Sequence, residues 1–318
     1  MARSTILYRM VIGDPLKVAD GFEVPLKNEK FPTIALGDYY DKGAKPNAYE
    51  FTKHQIVFNC RLSSTTSNAN SAKITLYNLD DNVVSYLEAN NNNNLVCVLE
   101  AGDNEQGLGQ IFAGTLVNVL DNFSGNDRRT QLTVTDGGFN IKNAFTVRSY
   151  PRNTEYSTII QELNRDMRLP FSTFGAIKGR TLTPLSFYGK THGILTTELP
   201  KLGFNYSIQK GSISLIPETK RVEKEVSFIS KETGLIGKVV LDNSDDKSVA
   251  GQSAQKSSGI SFTCLLDSAL APDETVYVRD GQYDGAYKIV SVNFDGNYEG
   301  NSWVCTVQAV ETDGVVSI

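Results

Sequence analysis

The chain is poor in the residues from which most catalytic and metal centres are built. Only two histidines and four cysteines occur among 318 residues, and no two cysteines form the Cys-x-x-Cys pair typical of structural zinc. Neither His54 nor His192 has a Gly-x-Ser-x-Gly nucleophile elbow to serve, because the chain contains none. We therefore expect no enzymatic activity, no catalytic or cofactor-binding residue, no metal ligand and no cofactor.

The chain also lacks a basic excess and any long apolar run. Its net charge of -5 disfavours a nucleic-acid-binding protein, which normally presents a basic face. No stretch approaches the roughly 18 apolar residues of a membrane-spanning helix, and the first residues do not open a signal peptide. We expect a chain that is made in the cytosol and does not span a membrane.

The four cysteines each lie inside an apolar strand pattern. Such positions predict buried free thiols in a reducing compartment. A bridge between Cys60 and Cys97, on neighbouring strands, is an alternative that the sequence leaves open. The residues are Cys60, Cys97, Cys264 and Cys305.

Apolar and polar residues alternate through much of the chain, which is typical of half-buried strands. Residues 6–13 predict a first strand, and residues 56–120 predict several more, interrupted by a polar loop and a short helix capped by Asp80 or Asp81. Between them, residues 14–50 carry four prolines and no period, which predicts an irregular insertion that serves as a contact arm or moves freely.

The period changes after residue 142. Apolar residues at Tyr156, Ile159, Ile160 and Leu163 predict an amphipathic helix over residues 155–168, with Thr154 as its N-cap. A second helix over residues 195–202 contains Pro200 and is expected to be short or kinked.

The rest of the chain again predicts strands. Residues 204–216 predict a hairpin that turns at Gly211. Strand patterns fill residues 221–241 and 260–310, separated by a polar loop or linker at residues 242–258. We predict three domains: a first β-barrel at 1–142 with the insertion 14–50, a helix-containing α+β domain at 143–232, and a second β-barrel at 233–318.

Several short motifs have plainer interpretations than catalysis. Gly189-Lys190-Thr191 ends like a phosphate-binding loop, but Pro184 stands where that loop needs glycine, so a turn into the second helix is favoured. Gly107-Leu108-Gly109 favours a hairpin turn over a dinucleotide site. The other candidates are Asp80-Asp81 as a helix cap, Asp245-Asp246 in a solvated loop and Trp303 in the core.

The order and spacing of the motifs resemble one known family over most of the chain. The motifs are residues 74–79, Glu100-Ala101-Gly102, Phe112-Ala113-Gly114, Thr135-Asp136-Gly137, residues 234–237, Gly285-Ala286-Tyr287 and Trp303. They resemble those of the baseplate hub proteins of phage tails and related contractile injection systems. One departure is Pro272-Asp273, where the family has a Pro-Gly turn.

The resemblance implies a mainly β fold of the α+β class, in which two barrels of the tail-tube type flank a small helix-containing middle region. It also implies a homotrimer, whose six barrels form a ring between the tail tube and the central spike and leave a passage for DNA. Tail tube, spike, tape-measure and wedge proteins are the implied partners. The implied location is the baseplate of the virion tail, after assembly in the host cytoplasm.

Two other functions stay open on sequence alone. One is a carbohydrate-binding β-module, which exposed aromatic side chains on one face would favour. The other is a tail-associated cell-wall hydrolase, which would use paired carboxylates. The sequence does not separate a contractile tail from a non-contractile tail or a domesticated bacterial device.

Overall fold

The structure is a computed structural model that describes residues 5–13, 33–36, 48–64, 70–91, 95–173, 175–209, 211–217, 220–242, 259–300, 302–311 and 314–317. It is mainly β with a minority of helix, as the sequence predicted. Two compact units form, and each combines distant parts of the chain. The first unit comprises Met1–Arg61, Asn70–Phe139 and Phe294–Trp303, and the second comprises Leu62–Ala69, Asn140–Asn293 and Val304–Ile318. The three-domain division at 142 and 232 stays a prediction.

The first unit is built on one antiparallel sheet. The strands follow the order β4-β5-β8-β7-β6-β1-β3-β2, and the last residues of a later strand, β18 (Gly285–Asn297), lie beside β4. The other strands are β1 (Ile6–Gly13), β2 (Thr33–Leu36), β3 (Ala48–Phe51), β4 (Ile56–Ser63), β5 (Ser71–Tyr77), β6 (Val96–Asp103), β7 (Gly107–Ser124) and β8 (Asp127–Thr135).

Alternation of apolar and polar residues sets which face of this sheet is buried. Along β4, Ile56, Phe58 and Cys60 are buried, whereas the residues between them are partly or largely exposed. Burying one large apolar side chain stabilises the fold by about 1.5–3 kcal/mol. A shift of the strand register by one residue would turn all of these side chains to the exposed face and lose that stabilisation. The predicted strands of residues 6–13 and 56–120 are therefore confirmed.

Strand β7 is unusually long and changes partners along its length. Its first half pairs with β6 as far as Thr115, and its second half pairs with β8 from Thr115 onward. Only one side of the second half is paired among the described strands. The hairpin of β7 and β8 turns at Ser124–Asp127, where the side chains are exposed.

The predicted irregular insertion at residues 14–50 is wrong in part. β2 and β3 lie within or at the end of it, and they pair antiparallel with each other while β3 also pairs with β1. Four-residue strands show too few alternations for a period to stand out beside prolines and glycines. Residues 14–32 and 37–47 of the insertion lie outside the described residues.

The predicted short helix of the first unit is confirmed as α1 (Asp81–Ala89). The carboxylate of Asp80 accepts a hydrogen bond from the backbone N–H of Asn82, which satisfies one of the free donors at the helix start. Val83, Val84 and Leu87 form the buried face of the helix, as the sequence predicted.

The second unit begins with a helix-containing part. A two-stranded antiparallel sheet pairs β9 with β11, and a second sheet follows the order β10-β13-β12. The elements are α2 (Gly138–Asn143), which starts in the first unit, β9 (Phe145–Tyr150), α3 (Tyr156–Met167), β10 (Phe171–Thr173), β11 (Leu185–Lys190), α4 (Thr191–Glu198), β12 (Phe204–Gln209) and β13 (Ser212–Pro217).

Helix α3 is the amphipathic helix predicted from the sequence. It buries Ile159, Ile160 and Leu163 against the core of this part. The predicted N-cap is wrong by one residue: Glu155 holds the cap position, and the hydroxyl of Thr154 donates instead to the carbonyl of Pro151. A threonine hydroxyl serves a tight turn as readily as a cap, so the sequence could not separate the two roles.

The second predicted helix is short and broken, as Pro200 led us to expect. Helix α4 ends at Glu198, and Pro200 opens a separate 3-10 turn, Pro200–Leu202. Gly203 then takes the left-handed conformation at φ 73° and turns the chain into β12. The hairpin of β12 and β13 is confirmed, with Gly211 at its turn in the left-handed region.

The remaining strands of the second unit form a further sheet. Its path is β15-β16-β19-β18-β17-β14-β20, antiparallel except where β14 runs parallel to β17 and β20. The strands not yet bounded are β14 (Lys220–Ile229), β15 (Leu235–Asp242), β16 (Gly259–Leu265), β17 (Glu274–Val278), β19 (Trp303–Val310) and β20 (Gly314–Ser317).

The described strands follow an open hydrogen-bonded path. Strands β14 and β15 stand toward opposite ends of the hydrogen-bonded path, yet the tight turn at Ser230–Gly234 joins them. No pairing among the described strands completes a barrel in either unit, so the predicted two-barrel layout is not confirmed. The predicted loop at residues 242–258 lies almost wholly outside the described residues. Within the described part of the chain, no helix has both the length and the apolar character needed to span a membrane.

Candidate functional site: interaction surfaces and buried polar groups

Both histidines are held by neighbouring aromatic and polar groups. The ring Nδ1 of His54 lies 3.1 Å from the carbonyl oxygen of Tyr77, and its edge packs on Phe51. The Nδ1 of His192 is hydrogen bonded to the hydroxyl of Tyr206. Burial lowers the pKa of both histidines, so both rings are neutral at pH 7.

The four cysteines are buried and free, as predicted, and no bridge joins Cys60 to Cys97. Burial raises the pKa of the Cys97 thiol to about 12, and it also raises the pKa of Cys60 and Cys305. Cys264 and Cys305 are directly opposite each other on β16 and β19. A protonated, buried thiol is a poor nucleophile, so these side chains behave as small apolar groups.

The remaining sequence motifs have structural roles in turns and in the core. Lys190 ends β11 directly before α4, and its ammonium group donates to the carbonyl of Lys142. Gly107 takes the left-handed region at φ 82° in the turn between β6 and β7, which confirms the hairpin interpretation. Trp303 is buried, packs edge-on against Phe58 and donates to the carbonyl of Gly102. Asp245 and Asp246 lie outside the described residues.

Among the described residues, no group of three or more histidine, cysteine, aspartate and glutamate side chains is placed to hold a metal ion.

One polar network ties β9 to α3 in the second unit. The guanidinium of Arg148 makes two hydrogen bonds to the carboxylate of Asp166, at 2.9 and 2.7 Å, and a longer one of 3.3 Å to Glu162. Thr146 donates to Asp166 and Tyr150 donates to Glu162. The hydrogen bonds from Arg148 hold the pKa of Asp166 below its usual range. The network orients the strand on the helix.

A second network is fully buried in the second unit. The ammonium of Lys288 lies 3.0 Å from one carboxylate oxygen of Asp273, and the Ser207 hydroxyl donates to the other at 2.9 Å. The Lys288 contact is an ion pair and not a well-directed hydrogen bond. Asp273 takes the left-handed backbone conformation at φ 72°, which suits the Pro-Gly turn of the resembling family.

The described surface carries three groups of exposed large apolar side chains. The first, which we call the basic sheet face, is the outer side of the sheet formed by β9 and β11. Phe145, Val147 and Tyr188 point outward there, with Val147 opposite Tyr188, and the ring of Phe145 meets that of Tyr188 edge-on at 5.2 Å. Tyr188 is 82% exposed and Val147 is 68% exposed.

The second group lies along the second half of β7 and is called the hairpin tip. Val117, Leu120 and Phe123 are exposed, and Phe123 is 70% exposed. The guanidinium of Arg128 lies over the Phe123 ring, 5.5 Å from its centre, and pairs with Asp121 and Asp81.

The third group, which we call the C-terminal apolar surface, is the set of exposed apolar side chains on β14, β15 and β16. Phe228 is stacked on Tyr277 with ring centres 5.6 Å apart, and Arg279 lies over the Phe228 ring. Exposed apolar side chains that cluster mark protein interfaces or ligand grooves. The exposed members are Val226, Phe228, Ile236, Val240, Leu241 and Leu265.

Sequence reasoning assigned no interaction residue, and it missed all three surfaces. Alternation shows that one face of a strand differs from the other, but it does not reveal a strand that is apolar on its outer face too. Val147 and Tyr188 fit an ordinary strand pattern. The one unusual feature that the sequence shows around them is the positive charge of the surrounding segment.

No protein-family model matches the chain, and no curated protein matches it. Solved structures are similar in fold. The 43 kDa tail protein of prophage MuSo2 from Shewanella oneidensis has a TM-score of 0.57 at 10% identity, over 82% of this chain and 94% of that chain. The E. coli c3393 protein, a type VI secretion component described as similar to the T4 tail proteins gp27 and gp5, has a TM-score of 0.56 at 11% identity, over 82% and 74%.

A chain of the Francisella PdpA–VgrG complex gives a TM-score of 0.59 at 9% identity, over 96% of this chain and 53% of that chain. This chain spans about half of that one. At such low identities the likeness concerns the fold. The chain is therefore similar in fold to phage tail and type VI secretion proteins, the group to which the sequence motifs pointed.

Proposed function

We propose that the chain is a structural hub of a phage tail baseplate or of a related injection device. Three copies form a ring that joins the tail tube to the central spike. The observation that carries the proposal is the fold, which most of the chain shares with tail and type VI secretion proteins. The exposed apolar surfaces on both units support it, because such surfaces are covered by partners in an assembled particle.

The sheets of the two units are the proposed counterparts of the two barrels. Each copy contributes one sheet from each unit, so three copies present six similar modules to a sixfold tail tube. Open strand edges in one copy are closed by edges of its neighbours, which removes unpaired backbone groups from solvent. Interfaces of such obligate assemblies bury roughly 2,000 Å² or more.

The partners follow from this position. The tube binds one face of the ring and the spike binds the other, while tape-measure and wedge proteins meet it during assembly in the host cytoplasm. DNA passes through the centre without specific binding, because acidic side chains in the lumen repel phosphate. The chain performs no chemistry itself; Asp80 and Asp81 have structural partners in the helix cap and in Arg128.

Mass in solution and electron microscopy test the proposal together. The purified chain is expected to form a trimer of three times 34.9 kDa, seen in negative stain as a ring with a central hole. A chain that stays monomeric alone is mixed with its spike partner and measured again. A monomer under both conditions contradicts the hub, and clearing of peptidoglycan in a zymogram contradicts the absence of enzymatic activity.

A further inference from the structure

Charge is segregated along this chain. Residues 140–217 contain ten Lys and Arg against four Asp and Glu, a net charge of +6. Residues 70–139 contain three Lys and Arg against nine Asp and Glu, a net charge of -6. An overall charge of -5 conceals both. Such asymmetry indicates two surfaces that attract partners of opposite charge.

The basic sheet face lies within the positive segment. Its outer side presents Phe145, Val147 and Tyr188 together with the exposed Lys190, and neither β9 nor β11 carries an acidic residue. The acidic neighbours Asp166 and Glu162 lie on the opposite side, where they are engaged by Arg148. The sheet therefore offers solvent an apolar surface that has one cation, Lys190, at its edge and no acidic side chain of its own.

The hairpin tip lies within the negative segment. Around Phe123, the carboxylates of Asp81, Asp121 and Asp127 outnumber the guanidiniums of Arg128 and Arg129 by one. Arg128 pairs with Asp121 and with Asp81, whose side chain is still 90% exposed. This surface is an exposed aromatic side chain within the negative segment, the counterpart of the basic sheet face.

We propose that the basic sheet face of one copy binds the hairpin tip of the next copy. The inference rests on the proposed ring. Two different patches on each copy make a head-to-tail contact, which closes into a ring when the rotation between copies allows it. Apolar side chains form the centre of the contact, and opposite charges around it fix the orientation.

Nucleic acid is the competing occupant of a basic face with exposed aromatic rings. The distribution of charge favours a second copy. Outside residues 140–217 the chain carries a net charge of -11, which repels a polyanion and attracts the basic segment of a neighbour.

The test uses two variants of the full chain. V147E/Y188E places carboxylates on the basic sheet face, and F123K places a cation at the hairpin tip. All three side chains are largely exposed, so both variants are expected to fold. The matched control, S172E/T173E, adds the same charge to the positive segment on the exposed strand β10. Sedimentation velocity measures the mass of each.

Each variant alone is expected to lose the trimer that the wild type and the control form. A mixture of the two is expected to give a 1:1 complex of twice 34.9 kDa, because the intact hairpin tip of one meets the intact sheet face of the other and neither end can extend. Only a head-to-tail contact behaves in this way.

Four results overturn the inference. If both variants stay trimeric, the ring exists through other surfaces and the proposed function is unaffected. If the mixture gives no complex, the two patches do not meet. If the wild type binds single-stranded DNA and V147E/Y188E does not, the face is a nucleic-acid site. If the wild type is monomeric with and without its spike partner, the inference fails together with the proposed function.

Discussion

Asp273 occupies a backbone conformation that glycine adopts most easily, and it does so with a buried carboxylate. The residue is tolerated because Lys288 and Ser207 satisfy that carboxylate on the inside of the second unit. At the scale of single residues, an aspartate holds a left-handed position and has its own partners for the carboxylate. The network joins the hairpin of β12 and β13 to the turn before β17 and to β18.

The contributions of Asp273 and Lys288 to the free energy of unfolding should depend on each other. Lys288→Met leaves a buried, unpaired carboxylate and is expected to lower the free energy of unfolding by about 3–5 kcal/mol. Asp273→Gly leaves the ammonium unpaired and is also expected to destabilise, less severely because glycine relieves the left-handed backbone. The double variant removes both charges and is expected to lie close to the wild type. Urea unfolding of the three variants measures the coupling, and additive effects would contradict it.

Asn164 presents a different case at the same scale. It is fully buried in helix α3, and among the described residues neither its amide nitrogen nor its amide oxygen has a hydrogen-bond partner. Asn164→Leu has similar volume and removes both polar atoms, so the free energy of unfolding is expected to rise by about 1–3 kcal/mol.

The control for this change is Asn140→Leu. The Asn140 amide donates to the carbonyl of Met167 at 2.9 Å, so its loss should cost about 1 kcal/mol. Thermal unfolding compares the two variants. Destabilisation by Asn164→Leu would indicate that an internal water satisfies the amide.

At the scale of secondary-structure elements, two glycines of the second unit differ in backbone conformation. Gly193 lies inside helix α4, whereas Gly203 stands after the 3-10 turn at φ 73°. A Cβ at either position would meet no atom within 4 Å, so packing does not distinguish them.

The two alanine variants should therefore have opposite signs. Gly193→Ala is expected to stabilise the chain by about 0.5–1 kcal/mol, because alanine favours helix. Gly203→Ala is expected to destabilise it by about 1 kcal/mol, since alanine is strained in the left-handed region. Chemical unfolding checks the signs, and two shifts in the same direction would refute the assignment of these conformations.

The sequence predicted most elements, since their signals are local. The bounds of β1 and β19, the buried face of α1 and the broken second helix all follow from period, capping and proline chemistry. The strands β2 and β3 were missed because four residues hold too little pattern. The candidate surfaces were not predictable, because the exposure of Val147 and Phe123 depends on which neighbours fail to cover them.

At the scale of the whole molecule, the segregated charges predict how association responds to salt. Exposed charges are screened over about 10 Å at 0.1 M salt and about 3 Å at 1 M. If the basic sheet face and the hairpin tip hold the ring together, the trimer is expected to dissociate more readily as sodium chloride rises. Sedimentation at increasing ionic strength measures this. A trimer strengthened by salt would indicate that the C-terminal apolar surface dominates instead.

The first unit is completed by Phe294–Trp303, a segment that follows residue 139 by nearly half of the chain's length. Trp303 reaches Gly102, and Phe294 is fully buried. A ribosome must therefore reach residue 303 before the earliest-made strands can complete their core, because the last residues of that core are made so late. Prematurely terminated polypeptides would keep an unfinished amino-terminal module that proteases can recognise. A chain cut off before residue 294 is therefore expected to be digested faster by a protease in its amino-terminal part than the full chain is.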